Sequence, residues 1–172
     1  RHANRRAASY HSRRDLVGDL AQAVRARGLK MGLYYCSGYD GLFNSTVIRD
    51  PLTAITAIPQ SREYAEYAAA QLTELIERYQ PSVLWNDIAY PAHGDVRELL
   101  AFYYNTVVDG AVNDRWALVR LPRSRIGKAA LAATLRALSL LWPVLPRSWR
   151  RLKMLPAAHS DFITPEYEVR HD

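Results

Sequence analysis

Apolar patterns of helices and of strands alternate along this chain, and their order constrains the fold more than any other feature. Three short apolar runs typical of buried strands each follow a stretch with helical spacing of apolar residues. The runs are residues 29–35, 83–85 and 111–113, and the helical stretches are residues 13–27, 61–79 and 95–107. Helices that alternate with strands through short links predict an α/β fold with parallel strands.

Polar residues follow two of the predicted strands at the point where each strand ends. Asn86 and Asp87 follow one strand, and Asn113, Asp114 and Arg115 continue from the other. The carboxyl ends of parallel strands meet at one edge of a sheet, and in barrels this edge carries the active site. These side chains are therefore placed where an active site would lie. The alternative is that they are ordinary polar residues at the change from strand to loop.

The basic charge of the chain is concentrated in one segment. The 172 residues carry a formal net charge of +6, from 23 Lys and Arg against 17 Asp and Glu. Residues 117–158 contain nine of the basic residues and no acidic residue, which leaves the rest of the chain with 14 basic and 17 acidic side chains. A nucleic-acid-binding function of the whole protein therefore has no support from its charge.

Five segments, in their order and spacing, resemble α-L-fucosidases of glycoside hydrolase family 29. The five segments lie between residues 14 and 167 of the 172-residue chain. They are Arg14-Asp15-Leu16-Val17-Gly18, Gly28-Leu29-Lys30-Met31-Gly32-Leu33-Tyr34-Tyr35, Val83-Leu84-Trp85-Asn86-Asp87, Val112-Asn113-Asp114-Arg115-Trp116 and Asp161-Phe162-Ile163-Thr164-Pro165-Glu166-Tyr167. The resemblance implies retaining hydrolysis of terminal α-L-fucosyl linkages, with a fucosylated oligosaccharide or glycoconjugate as substrate.

The resemblance also implies roles for single residues. In the family the aspartate that closes the Leu-Trp-x-Asp strand is the catalytic nucleophile, which corresponds to Asp87. Arg115 corresponds to a substrate-binding arginine, with a salt bridge to Asp114 or another carboxylate as the alternative. The remaining expected substrate-binding residues are Tyr34, Tyr35, Trp85 and Asn86, the last two also as support for Asp87.

The chain departs from the family pattern at several places. The family's upstream His-Trp-Gly and His-His-Asp-Gly-Phe motifs do not occur, and the usual acid/base glutamate follows the Thr-Pro-Glu-Tyr segment beyond Asp172. Glu166 and Glu168 precede that position and are interpreted as solvated loop carboxylates. A closed (β/α)8 barrel needs roughly 200–250 residues. We therefore expect residues 1–172 to be a fragment of one TIM-type barrel domain, inactive alone, or else a non-catalytic remnant of one.

The basic segment, at about residues 117–158, is predicted to be a helical insertion in this barrel domain. Leu131, Leu135 and Leu138, with Leu141 or Trp142, fall on one face at helical spacing, and Pro143 ends the pattern. The segment is interpreted as an excursion that packs on the barrel with its arginines in water. A weak contact with a membrane surface is the alternative.

The other sequence features assign no cofactor, metal or compartment. Cys36 is the only cysteine, so no internal disulfide or multi-cysteine zinc site forms, and the histidine spacings match no common ligand pattern. No apolar run of a secretory signal follows the basic residues at the start of the sequence, which slightly favours the cytoplasm. The oligomeric state is not determined by these patterns.

Overall fold

The computed structural model describes residues 12–141 and Asp161. Helices and strands alternate in the predicted order. They are α1 (Leu16–Arg25), β1 (Gly32–Tyr35), α2 (Pro51–Thr56), α3 (Arg62–Tyr79), β2 (Val83–Asn86), α4 (Val96–Thr106), β3 (Ala111–Val112) and α5 (Arg125–Leu141). The three strands form one parallel sheet in the order β1-β2-β3, so the prediction of an α/β fold with parallel strands is confirmed.

The sheet is covered by helices on one face. Leu84 of β2 and Val112 of β3 are fully buried, and they pack with apolar side chains of α3 and α4 such as Leu72 and Tyr103. On the other face Tyr34 is 62% exposed and its partner in register, Trp85, is half-buried. Because successive side chains of a strand point to opposite faces, this second face carries Tyr34 and Trp85 and leads to Asp87.

Local signals in the sequence set the ends of three helices. Ser61 accepts a hydrogen bond from Tyr64 N at 3.1 Å and caps α3, and Asp95 caps α4 through the amides of Arg97 and Glu98. Gly28 lies in the left-handed region with φ of +71°, three residues after the last residue of α1, a conformation that favours glycine.

Residues 36–60 join β1 to α3 and show no apolar periodicity in the sequence. The structure places the short helix α2 in this connection, and its six residues are too few to show an apolar period. A reciprocal pair of contacts fixes its start, because the side chain of Asp50 accepts from Thr53 N at 2.7 Å and the Thr53 hydroxyl accepts from Asp50 N at 2.9 Å.

The basic segment contains the predicted helix, α5, which packs against α2. Leu135 is buried as predicted, whereas Leu141 is 52% exposed and does not share the inner face. Leu141 is six residues after Leu135. At 3.6 residues per turn, this spacing rotates the side chain by about one and two-thirds turns, which places Leu141 on a different side of the helix. Residues 142–158 and the expected loop carboxylates Glu166 and Glu168 lie outside the described residues.

Candidate active site

Asp87 lies directly after β2, at the carboxyl edge of the parallel sheet. Tyr34, from β1, donates its hydroxyl to Asp87 Oδ2 at 2.8 Å, and Arg115, from the loop after β3, donates Nη1 to Asp87 Oδ1 at 2.7 Å. The side chains of Asp87 and Arg115 are 20% and 25% exposed. Three predicted site residues from three different strand ends therefore meet at one carboxylate.

These donors keep the Asp87 carboxylate charged. Partial burial alone raises its pKa, but the hydrogen bonds from Tyr34, from the backbone of Ile88 and from Arg115, with the arginine charge, outweigh this and lower the pKa below the usual 3.8. Partial burial and the hydrogen bond to Asp87 raise the pKa of Tyr34, so its hydroxyl stays protonated and donates. The site holds an ionised carboxylate over the whole neutral range.

The turn after Asp87 has an unusual backbone conformation. Ile88 has φ of +69°, a region that β-branched residues rarely adopt. In this conformation Ile88 N donates to Asp87 Oδ1 at 2.9 Å, while its Cβ lies against Gly38 in the loop after β1. Backbone strain of this kind persists where surrounding contacts impose it, and it is concentrated at functional sites.

A buried network of side-chain amides fixes the strand ends beneath the carboxylate. Asn86 N donates to Asn113 Oδ1 at 3.0 Å, Asn113 Nδ2 donates to Asn86 O at 2.8 Å, and Asn86 Nδ2 donates to Arg115 O at 2.7 Å. The Ser37 hydroxyl contacts both Asn86 Oδ1 and Ala89 O. All of these amide groups are fully buried, so they link the ends of β1, β2 and β3 into one rigid edge.

Two expected substrate-binding residues occupy other positions. Tyr35 lies on the helix-covered face, opposite Tyr34, and donates its hydroxyl to Gln71 of α3 at 2.6 Å. Adjacent residues of a strand point to opposite faces, so Tyr35 does not lie on the open face with Tyr34. Asn86 is fully buried and its amide is used inside the network, which leaves it a supporting position beneath Asp87.

Sequence patterns missed three residues of this edge. Ser37, Ile88 and Tyr39 carry no motif on their own, although each follows a strand within four residues. Burial, then the side chain of Cys36 and the charge of Asp87, raise the pKa of Tyr39, so its phenol lies within electrostatic range of the carboxylate. An aromatic residue in the loop after the first strand was the available signal.

Away from the Asp87 edge, a surface depression lies between α1 and α3. It has a volume of about 710 Å³ and its polar lining residues bind one another. Asp15 accepts from Arg78 Nη2 and from the Tyr79 hydroxyl, each at 2.6 Å, and Arg25 donates to the carbonyl groups of Tyr79 and Gln80. These polar groups join two helices and leave the Asp87 edge as the candidate site.

Comparison with known proteins identifies the family. The family model described as alpha-L-fucosidase matches residues 1–127. The chain belongs to the α-L-fucosidase family. It is 36% identical over 110 residues to an alpha-L-fucosidase of Branchiostoma floridae and 32% identical over 109 residues to the tissue alpha-L-fucosidase of Rattus norvegicus, in each case over 60% of this chain.

A solved structure of an alpha-fucosidase has a similar fold over part of this chain. The Thermotoga maritima alpha-fucosidase in complex with a mechanism-based inhibitor superposes with a TM-score of 0.59 and 48% identity over 62% of this chain. The chain spans 23% and 22% of the length of the Branchiostoma and Rattus relatives and 26% of that of the Thermotoga structure. The match therefore covers about a quarter of a complete family member.

Proposed function

We propose that this chain supplies the nucleophile and part of the sugar pocket of a retaining α-L-fucosidase. One observation carries the proposal. In a chain of the α-L-fucosidase family, Asp87 stands at the carboxyl edge of a parallel sheet as an ionised carboxylate held by Tyr34 and Arg115. Residues in such a position on a parallel α/β sheet perform catalysis in barrel enzymes.

The hydrogen bonds of the carboxylate distinguish its two oxygens. Oδ1 accepts from Arg115 and from Ile88 N, whereas among residues 12–141 and Asp161 Oδ2 accepts from Tyr34 alone. Oδ2 therefore keeps the more accessible lone pair, and it is the atom proposed to attack the anomeric carbon of fucose. The attack displaces the aglycone oxygen and forms a glycosyl-enzyme ester, which water then hydrolyses with net retention.

The leaving oxygen needs a proton from a second carboxylic acid. Retaining glycosidases hold this acid about 5–5.5 Å from the nucleophile. We place it outside the matched quarter of the enzyme, so the 172-residue chain acts as one part of a longer fucosidase. The same group would act as general base in the second step.

The fold supports a partial barrel. The helices α3 and α4 cover one face of the sheet, and the face that carries Tyr34 stays open among the described residues. Parallel sheets are buried on both faces in complete proteins, and a (β/α)8 barrel closes over such a face with its own strands. The proposed arrangement makes residues 1–172 one part of a single TIM-type barrel domain.

The segment at about residues 117–158 is proposed to be an insertion in this domain. The chain returns to β3 at Asp161, whose Oδ2 accepts from Val112 N at 2.7 Å and whose N donates to Val112 O at 3.0 Å. The family model ends at residue 127, within this segment. The chain thus leaves β3, forms α5 and comes back to the same strand edge.

The substrate-binding roles follow from position. Tyr34, Trp85 and Arg115 lie on or beside the open face next to Asp87, and they are proposed to contact the fucosyl ring. Asn86 is proposed to support Asp87 without touching the sugar, and Tyr35 to anchor β1 on α3. The chemistry of this double displacement needs no metal or organic cofactor.

A chimeric enzyme tests the proposal. Residues 12–121 of this chain replace the matching segment of the Thermotoga maritima enzyme, and hydrolysis of an aryl α-L-fucoside is measured for the chimera and for the 172-residue chain alone. We expect turnover by the chimera and none by the chain alone. In the chimera, Asp87→Gly should lower kcat by about 10³-fold or more, with partial recovery in azide.

The matched control is Asp95→Asn, a carboxylate eight residues further on that caps α4. It should change stability by less than about 2 kcal/mol and leave kcat nearly unchanged. A folded chimera that binds fucose but has no activity would favour the non-catalytic remnant. Comparable turnover by the 172-residue chain alone would refute the placement of the acid/base group elsewhere.

A further inference from the structure

The helix α5 has an apolar face that points away from the rest of the molecule. Ile126, Ala130, Ala133, Ala137 and Leu140 recur at spacings of four and three residues, which places them on one side of the helix. All five are exposed, and Ile126 and Leu140 are 83% and 81% exposed.

The opposite side of α5 holds the helix on the protein. Leu135 is buried and Leu131 is half-buried, and α5 packs against α2. The segment before α5 is tied down by Gln60, which donates Nε2 to Val119 O at 3.1 Å and accepts from Leu121 N at 3.0 Å. The exposed apolar face is therefore presented by an anchored helix.

Basic side chains lie on α5 and in the residues directly before it, and the segment itself has no acidic ones. Arg120, Arg123, Arg125 and Lys128 are exposed, and no Asp or Glu occurs between residues 117 and 160. Arg136 is also exposed and, after the hydrogen bonds from Thr53, its charge helps to lower the pKa of Asp50 at the start of α2. An exposed apolar face bordered by unbalanced positive charge is complementary to a surface that is apolar within and anionic outside.

We propose that α5 docks this protein on an anionic lipid bilayer, lying in the interface with Ile126 and Leu140 inserted among the lipids. Arg125 and Arg136, which border the inserted face, then contact the phosphate headgroups. The sequence directly after α5 continues the same chemistry with Trp142 and Trp149 among four further basic residues, at positions 147, 150, 151 and 153. Tryptophan and arginine are residue types that favour the membrane interface.

A membrane-spanning helix or a dimer formed through α5 explains this surface less well. Among the described residues, no helix is long and apolar enough to cross a bilayer. Pairing of α5 with α5 of a second copy would bring two sets of exposed basic residues together, and the segment has no acidic side chain to balance them. A lipid surface carries the required negative charge itself.

Vesicle co-sedimentation of the full chain tests the docking. One set of vesicles is phosphatidylcholine alone, and in the other phosphatidylserine replaces about a third of it. We expect binding to the anionic vesicles to exceed binding to the neutral ones by about tenfold or more, and to fall when salt rises from about 0.1 M to about 0.5 M.

Two variants separate the apolar and the charged contributions. Ile126→Ser with Leu140→Ser should weaken binding to the anionic vesicles about tenfold, and so should Arg125→Gln with Arg136→Gln. Val108→Ser is the matched control, since Val108 is 98% exposed on the turn before β3, and it should change binding less than about twofold. Far-UV circular dichroism checks that each variant keeps its helices.

A polarity-sensitive label reads the orientation directly. Leu140→Cys in a Cys36→Ser background carries an NBD group, with Val108→Cys as its counterpart. A blue shift on anionic vesicles at position 140 but not at position 108 is the expected result. Equal shifts at both positions, or no shift at position 140, would overturn the proposal. It would also be overturned if the chain did not bind vesicles but formed a reversible dimer in sedimentation, and if Ile126→Ser with Leu140→Ser abolished that dimer.

Discussion

Replacing Gly38 with alanine tests the packing that holds Asp87 in place. A Cβ at this position would lie 2.4 Å from Ile88 Cβ, 2.5 Å from Ile88 Cγ2 and 3.1 Å from Ala89 N. Ordinary contacts of a Cβ lie at 3.4–4 Å, so the loop after β1 and the turn after β2 must separate by about 1 Å. We expect the backbone amide of Ile88 to move with this turn, so that its hydrogen bond to Asp87 Oδ1 is lost.

The expected cost is about 1–3 kcal/mol in the free energy of unfolding, which is the usual range for an overpacked site. Urea unfolding of the full chain, followed by circular dichroism, measures it. Gly41→Ala is the control in the same loop, because no atom lies within 4 Å of the added Cβ. That change should stay within about 0.5 kcal/mol.

A second substitution identifies the contact responsible. Ile88→Gly removes the two closest atoms and relieves the positive φ, so Gly38→Ala combined with Ile88→Gly should recover most of the lost stability. Recovery should be incomplete because Ala89 N remains at 3.1 Å. Equal stabilities for Gly38→Ala and Gly41→Ala, or no recovery in the double variant, would show that close packing of position 38 against Ile88 does not limit stability.

Three further predictions concern the contacts of Asp87 and of Asp161. In the chimera, Tyr34→Phe removes a donor that lowers the pKa of Asp87, so the acid limb of the kcat/KM profile should move to higher pH; an unmoved limb contradicts this. Because folding lowers the pKa of Asp87, its ionised carboxylate adds to the free energy of unfolding above about pH 4, and this contribution is lost as pH falls through the folded-state pKa. Tyr34→Phe should therefore lower the free energy of unfolding at neutral pH. Asp161→Ala removes the acceptor for Val112 N and for the Tyr104 hydroxyl, and urea unfolding should show a loss of about 1–3 kcal/mol; an unchanged midpoint would show that Asp161 does not anchor the returning chain.

The sequence predicted the fold where patterns repeat over several residues. The helices over residues 61–79 and 95–107 and the strand that leads to Asp87 have strong apolar periods and capping residues, and the structure has them within a few residues. The helix α2 was missed because six residues hold too few turns for a period. The outward apolar face of α5 was missed because alanines carry weak periodic signals, while its leucines suggest only the inner face.

The site was predictable by position and less so by role. Strand ends and the family motif both indicated Asp87, and the structure brings Tyr34 and Arg115 to it. Tyr35 was misplaced because a motif of two adjacent tyrosines does not show that a strand sends them to opposite faces. The turn at Ile88 depends on contact with Gly38, fifty residues away in the sequence, and no local pattern records such a contact.

Covalent labelling of the chimera tests the central assignment most directly. A 2-fluoro-fucosyl reagent with a good leaving group traps the glycosyl-enzyme, and peptide mass spectrometry locates the trapped sugar. The label is expected on Asp87, in the peptide that contains Trp85 and Asn86, and no label is expected on that peptide in Asp87→Gly. A stable label on any other carboxylate of the chimera would contradict the assignment of Asp87 as nucleophile.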